Sequence, residues 1–498
     1  MNNFIGAMTD ATNFGYTENG AIKRDTTNSA LLDMFALGGA MRSRSDEDVI
    51  LMFRNAFAEN PTYALKCLFY LRDVRGGQGE RRFFRVVMRD LAKTATEAAR
   101  RNMKLIPTYG RWDDLYCFVN TPLEKEMLNF LKEQLAMDIT CKTPSLLAKW
   151  LKSENASSAE TRELGKKTRG AFGMTAKQYR KTLAILRERI NVLERLMSAG
   201  EWNKIEFDKI PSRAGFIYKN AFARHDVEKR YEEFAKSSET KVNAKVLYPY
   251  ECVAEAIEAP YNIDDVNRCM INKYWDNLAD YFKEASFNGM AVVDVSGSMY
   301  GSSDSAPINV AISLGLYCAE KAKGPYANHF ITFSSNPKFV KVEGVDFFDK
   351  ARRMLDSDWG GSTNVEAAFD FMLNVAVNNN LKQEDIPENL IIISDMEFDA
   401  CVESGPIVEH RWGHFQKADK ETLFETMKKR WEAHGYKIPK LIFWNCEARQ
   451  DNIPMRDDGN VNYVSGMSPV LFEQIMKGLN AWDLMMSKLN EPRYEAIH

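Results

Sequence analysis

The chain has no run of about 18 uninterrupted apolar residues, so a membrane-spanning helix is not expected. It has no C-x-x-C pair: its 8 cysteines are scattered at 67, 117, 141, 252, 269, 318, 401 and 446. In a chain of 498 residues that spacing reads as reduced, packed thiols and an intracellular, cytoplasmic home. The opening MNNFIGAMTDATNFGYTENG lacks the basic start and apolar core of a signal peptide. No H-E-x-x-H, Walker A loop, G-x-S-x-G elbow or kinase motif set occurs, so an enzyme is not the expected class. The glycines Gly76, Gly77 and Gly79 follow no strand and are not a dinucleotide loop.

What is present describes a globular protein of about two to four domains, 45% hydrophobic and 27% charged. The net charge of −3 hides an asymmetry, since residues 1–284 carry +6 and residues 285–498 carry −9. Residues 1–28 read as an irregular N-terminal segment. Residues 29–285 are helical almost throughout, with Ser45 as an N-cap before an acidic first turn and residues 80–94 carrying Phe83, Phe84, Val87, Met88 and Leu91 on one stripe. Many short helices in series, without a heptad, predict a stacked helix-pair solenoid of the HEAT type. From 286 to 498 strands alternate with helices, which predicts a doubly wound α/β sheet.

The strand near 289–295 ends in Asp294, Ser296 and Ser298, three small oxygen-bearing side chains at alternate positions. Two further loops at strand ends supply Thr363 and Asp395. Oxygen donors of this kind suit a hard cation such as Mg²⁺, with Mn²⁺ or Ca²⁺ as alternatives, and are poor zinc ligands. The hydroxyls carry no charge, so the ion stays electrophilic and an incoming carboxylate or phosphate oxygen can complete its shell. Asp294-Val-Ser-Gly-Ser, Thr363 and Asp395 together resemble the metal-ion-dependent adhesion site of von Willebrand factor A domains, and the resemblance covers residues 286–490. Nearby, Glu397 and Asp399 read as solvated loop acids, and His410 and His414 do not make a transition-metal set.

A second resemblance rests on Leu71-Arg-Asp-Val-Arg-Gly-Gly-Gln-Gly-Glu-Arg-Arg and Tyr109-Gly-Arg-Trp-Asp-Asp-Leu, which are similar to turns of the TROVE module of Ro ribonucleoproteins. An uncharacterised sister family with the same layout resembles the chain more closely, through Trp150-Leu-Lys-Ser-Glu-Asn, Glu194-Arg-Leu-Met-Ser-Ala-Gly-Glu-Trp, Ile210-Pro-Ser-Arg-Ala and Asn243-Ala-Lys-Val-Leu-Tyr-Pro. The Ro resemblance implies a ring of helix pairs, closed by the A domain, that binds structured or misfolded RNA. No RNA-contacting residue transfers individually.

The residues themselves point the same way. Residues 141–230 hold 20 basic against 10 acidic side chains. Within them Lys166, Lys167, Arg169, Lys177, Arg180, Lys181 and Arg187 are the expected phosphate contacts, with Phe172 and Tyr179 as stacking partners for unpaired bases. Gly165, Gly170 and Gly173 predict a mobile loop over 164–174, with a helix beginning near Thr175. The expected function is that of a non-enzymatic RNA-binding protein with a Mg²⁺ site for ring closure or partner recruitment. The alternative is a protein-interaction scaffold whose cation captures an acidic residue of a protein partner.

Overall fold

A computed structural model describes the whole chain except residues 1–2, 261–262, 283–286, 302–304, 333–335, 356–363, 401–420 and 457–458. The chain folds as a helical module plus an α/β part built on a mixed sheet of six strands. Packing divides it into two units that do not follow chain order: residues 1–67 join 247–490, and residues 68–246 join 491–498. No described helix is long and apolar enough to cross a membrane.

In the first unit, residues 1–28 are not irregular as expected. They form a helix, Asn3–Thr12, and two short antiparallel strands, β1 (Gly15–Tyr16) and β2 (Ile22–Lys23). The partners that order this segment lie hundreds of residues downstream, which local periodicity does not reveal. Ser45 caps the helix Asp46–Glu59 by accepting from Asp48 N, and Ser29 caps Ala30–Leu37 likewise through Leu32 N.

The sheet contains β3 (Gly289–Val293), β4 (His329–Thr332), β5 (Phe339–Lys341), β6 (Asn389–Ser394), β7 (Lys440–Asn445) and β8 (Val461–Ser465), in the order β5-β4-β3-β6-β7-β8. All pairs are parallel except the edge pair β4–β5. β3 and β8 are buried along their whole length, as strands covered on both faces must be. Leu390, Ile391, Ile392 and Ile393 are fully buried, and each contributes roughly 1.5–3 kcal/mol of hydrophobic stabilisation. Helices cover both faces. Phe443 meets Phe424 of Leu423–Ala433 at 4.7 Å, while the next residue, Trp444, meets Phe472 of Leu471–Ile475 at 4.8 Å on the opposite side. Pro307–Lys321, buried on nearly every side, lies between β3 and Pro249–Glu258.

The second unit is all helix. Arg82–Thr94 buries Phe83, Phe84, Val87, Met88 and Leu91, the stripe its 3.6-residue period predicts. The expected loop at 164–174 is instead the second half of a helix, Ala159–Phe172, capped by Ser158. Its glycines have other reasons to be there. A Cβ on Gly165 would lie 2.8 Å from the Ser153 carbonyl carbon, so that glycine allows two backbones to approach. Gly173, at φ +71°, is the left-handed residue that ends the helix. The following helix is Ala176–Arg189, capped by Thr175. The C-terminal residues return to this unit, where Tyr494 stacks on Tyr109 at 5.8 Å and donates to Asp73.

Candidate functional site

Counted from β3, the sheet order reads 3-2-1-4-5-6, and it reverses between β3 and β6. Loops diverge at such a point and leave a crevice at the carboxyl ends of the strands. Asp294 follows β3 and Asp395 follows β6, so the two carboxylates occupy neighbouring strand ends. Asp294 is fully buried: its Oδ1 accepts from Ser296 N at 2.9 Å and its Oδ2 from Ser394 Oγ at 2.5 Å. The Ser296 and Ser298 hydroxyls lie 3.1 Å apart. The structure thus brings Asp294, Ser296, Ser298 and Asp395 to one rim; Thr363, and likewise His410 and His414, lie outside the described residues.

Burial, then the charge of Asp395, pushes Asp294 up to about 7. Two carboxylates held this close in a buried place favour a positive partner. Part of that charge is supplied by the protein, because Arg449 donates to Asp395 Oδ2 and stands 3.5 Å from Glu18. The residue after Asp395, Met396, has φ +64°, a strained conformation for a side chain with a Cβ. Among the described residues no three His, Cys, Asp or Glu side chains cluster so as to hold a metal ion.

The expectation that Glu397 is a solvated loop acid is corrected. Glu397 is fully buried; its Oε2 accepts from Glu18 N at 2.7 Å and its Oε1 from Asn452 Nδ2 at 2.7 Å. Asn19 donates to the Glu397 carbonyl, Thr17 to that of Phe398, and Gly20 bridges Asp399. Glu397 therefore anchors the N-terminal segment beside the rim. Ser394 and Arg449 also escaped the sequence reading. Ser394 carried a signal, a hydroxyl at a strand end directly before Asp395; Arg449 carried none.

In the helical unit the seven expected phosphate contacts separate into three groups. Lys177, Arg180 and Lys181 are exposed at i, i+3 and i+4 of one helix and have no ion-pair or hydrogen-bond partner among the described residues. Lys166 and Lys167 are paired with Glu163 and Glu124 at 2.8 and 2.9 Å. Arg169 and Arg187 are structural. Arg169 grips Glu154 at 2.6 Å and the Met174 carbonyl, and Arg187 donates to the carbonyls of Ala148 and Leu151. The stacking role expected of Phe172 and Tyr179 is overturned. Both are buried, their rings lie 6.1 Å apart in the core, and Tyr179 donates to the Lys152 carbonyl.

A cleft of about 870 Å³ opens between Arg82–Thr94 and Ala159–Phe172, lined by Arg89, Lys93, Lys166 and Lys167 against Glu160 and Glu163, with Tyr116. Arg89 and Lys93 are exposed and unpartnered among the described residues. They were legible as a stripe, since Arg85, Arg89 and Lys93 recur every fourth residue on the helix face opposite its phenylalanines.

Comparison with known proteins adds the following. The Deinococcus radiodurans RO (RSR) protein crystal structure aligns over 91% of this chain and 100% of its own, with a TM-score of 0.44 and 14% identity. An uncharacterized protein of Acanthamoeba polyphaga mimivirus is 31% identical over 509 residues, covering 93% of this chain and 85% of that protein. The family model described as Domain of unknown function (DUF7788) matches residues 288–492. The model described as Domain of unknown function (DUF2828) matches residues 17–145 and 135–287, more than half of the chain, and the chain accordingly belongs to the DUF2828 family.

Proposed function

We propose that this is a non-enzymatic, Ro-like RNA-binding protein whose helical module is a TROVE-like, HEAT-type solenoid. The observation that carries this reading is a set of unpaired cations. Arg89 and Lys93 line one wall of the cleft, and Lys177, Arg180 and Lys181 are exposed together on the helix after Gly173. Cations held by no carboxylate are available to neutralise phosphates, and the resulting affinity is salt-dependent and largely indifferent to sequence. Lys166 and Lys167 join once their glutamates release them.

In the same proposal the α/β part is a von Willebrand factor A domain and its rim binds Mg²⁺. The donor chemistry fits: Asp294, Ser296, Ser298 and Asp395 offer only oxygens, and Asp294 is buried against a second carboxylate. Bound there, the ion would supply a Lewis-acidic position for an acidic group of a partner. Ser394 fixes the Asp294 carboxylate, and Arg449 limits the negative charge the site presents.

The test is direct binding of single-stranded and structured RNA, followed by fluorescence anisotropy. Arg89→Glu, Lys93→Glu, Lys177→Glu and Lys181→Glu combined are expected to reduce affinity at least a hundredfold. Unchanged affinity would overturn the RNA reading.

A further inference from the structure

One cluster of charge in the helical unit takes no part in the cleft. Asp113 and Asp114, both buried, sit among Arg72, Arg85, Arg111 and Lys152. Asp114 receives Arg72 at 2.7 Å and Arg85 at 2.7 Å. Asp113 is shared by Arg85 at 3.0 Å, Arg111 at 2.8 Å and Lys152 at 3.8 Å. Arg81 is within electrostatic reach of Arg111, Arg85 and both aspartates, and has no ion-pair or hydrogen-bond partner among the described residues. Five cations thus face two carboxylates, an excess of three positive charges.

Such an excess is not needed to neutralise the aspartates. Arg72, at 2% exposure, belongs to the core; Arg85, Arg111 and Lys152 keep 23–29% of their side chains open. Their orientation is fixed. Arg111 holds Asp113 through Nε and Nη2 and lies over the Trp150 ring at 4.0 Å, so its Nη1 remains without a bond among the described residues. The Lys152 ammonium sits 5.3 Å over the Tyr116 ring and makes no hydrogen bond among the described residues. Desolvation, then repulsion from Arg111 and Arg85, holds Arg81 below its ordinary value. Lys152 is lowered too: burial comes first, and Arg85, Arg111 and Arg81 add to it against the pull of Asp113. Arg85, despite partial burial, is instead raised by Asp114 and Asp113, so the charge left uncompensated lies with Arg81 and Lys152, where an added anion would meet it.

We propose that Arg81, Arg85, Arg111 and Lys152 form a binding site for a phosphate monoester. The charge count selects the monoester: a terminal phosphate carries about two negative charges at neutral pH, a bridging diester one. Guanidinium groups fixed by a carboxylate and an aromatic face suit the planar, forked recognition of phosphate oxygens. Tyr116 also lines the basic cleft, so an RNA strand lying in the cleft would have this cluster at its edge. The inference rests on the RNA reading only for the source of the phosphate, which is either a strand end or a free phosphate ion.

The test uses the full chain and four probes: one single-stranded RNA with a 5′ phosphate, with a 3′ phosphate and with hydroxyls at both ends, and inorganic phosphate alone. Wild type is compared with Arg81→Gln and with Arg81→Gln/Lys152→Gln; Arg81→Gln removes a side chain without a partner and guards against misfolding of the double variant. The expected result is at least tenfold tighter binding of one phosphorylated RNA than of the hydroxyl form. Either variant should cut that preference, and the double variant should abolish it while the hydroxyl form binds as before. Phosphate raising the melting temperature of wild type but not of the variants, with no RNA bound by either, would keep the site and remove the RNA reading. Equal binding of all three RNAs together with no stabilisation by phosphate would overturn the site.

Discussion

Cations that hold the fold can be separated from cations that hold RNA by asking which of them set the salt dependence. Lys177, Arg180 and Lys181 are exposed and make no side-chain ion pair or hydrogen bond among the described residues, so replacing all three by Ala should leave stability within about 0.5 kcal/mol. Each phosphate neutralised by a single strand contributes about 0.7 to the slope of log affinity against log salt, so three lost contacts flatten it by about 2. Between 50 and 200 mM salt, wild type should then lose about twentyfold more affinity than the variant. Arg187→Ala and Arg169→Ala should behave in the opposite way. Arg187 satisfies the carbonyls of Ala148 and Leu151, and Arg169 the mostly buried Glu154, so each loss should cost about 1–3 kcal/mol with little change of slope. Anisotropy titrations at several salt concentrations and urea unfolding of the same samples give both quantities. A triple variant with the wild-type slope, or an Arg187→Ala protein with a flattened slope and an unchanged unfolding midpoint, would refute the division.

Three other outcomes are expected. Mg²⁺ at about a hundred times its dissociation constant should stabilise wild type by about 2.7 kcal/mol and leave Asp294→Asn unmoved in a thermal melt; in chelator at pH 8 that variant should be no less stable than wild type, because burial and Asp395 push the native carboxyl up to about 7. Asp33 is pushed up to about 6 by burial, only partly offset by bonds from Thr26 and Thr27; its ionised form is therefore disfavoured by folding, and wild-type stability relative to Asp33→Asn should fall by about 2 kcal/mol as pH rises from 4 to 6, a difference curve that would be flat if the carboxyl titrated normally. Gly165→Ala should destabilise measurably, since its Cβ would meet the Ser153 backbone at 2.8 Å, whereas Gly170→Ala, with nothing within 4 Å, should gain about 0.5–1 kcal/mol in the same denaturation assay.

The parts legible in the sequence were those whose causes are local. Asp294, Ser296 and Ser298 follow an apolar strand within five residues, and the period of Phe83, Phe84, Val87, Met88 and Leu91 is that of one helix face. The misreadings have equally definite causes. Phe172 and Tyr179 drew attention as aromatics among cations, yet Tyr179, Leu183 and Leu186 recur at helical spacing and are all buried. Gly165 read as a helix breaker because the chain that presses against it, Ser153 and Glu154, belongs to a different turn. Glu397, Arg449 and the Asp113 cluster depend on partners that only the fold brings near.

The N-terminal segment also dictates an order of events during synthesis. Arg24 exchanges backbone hydrogen bonds with Ile453, and Thr17 and Glu18 reach Phe398 and Glu397, so these long-range bonds cannot form until the chain has been made to residue 453. At about 5–20 residues per second that wait lasts roughly 20–90 s, time in which residues 68–246 can form most of their own unit. Tyr494 and its neighbours complete that second unit only after residues 247–490 have been made. Each unit is finished by a segment from the far end of the chain, so neither can be cut out as a contiguous fragment, and a truncation at either terminus removes part of one unit while leaving the other whole.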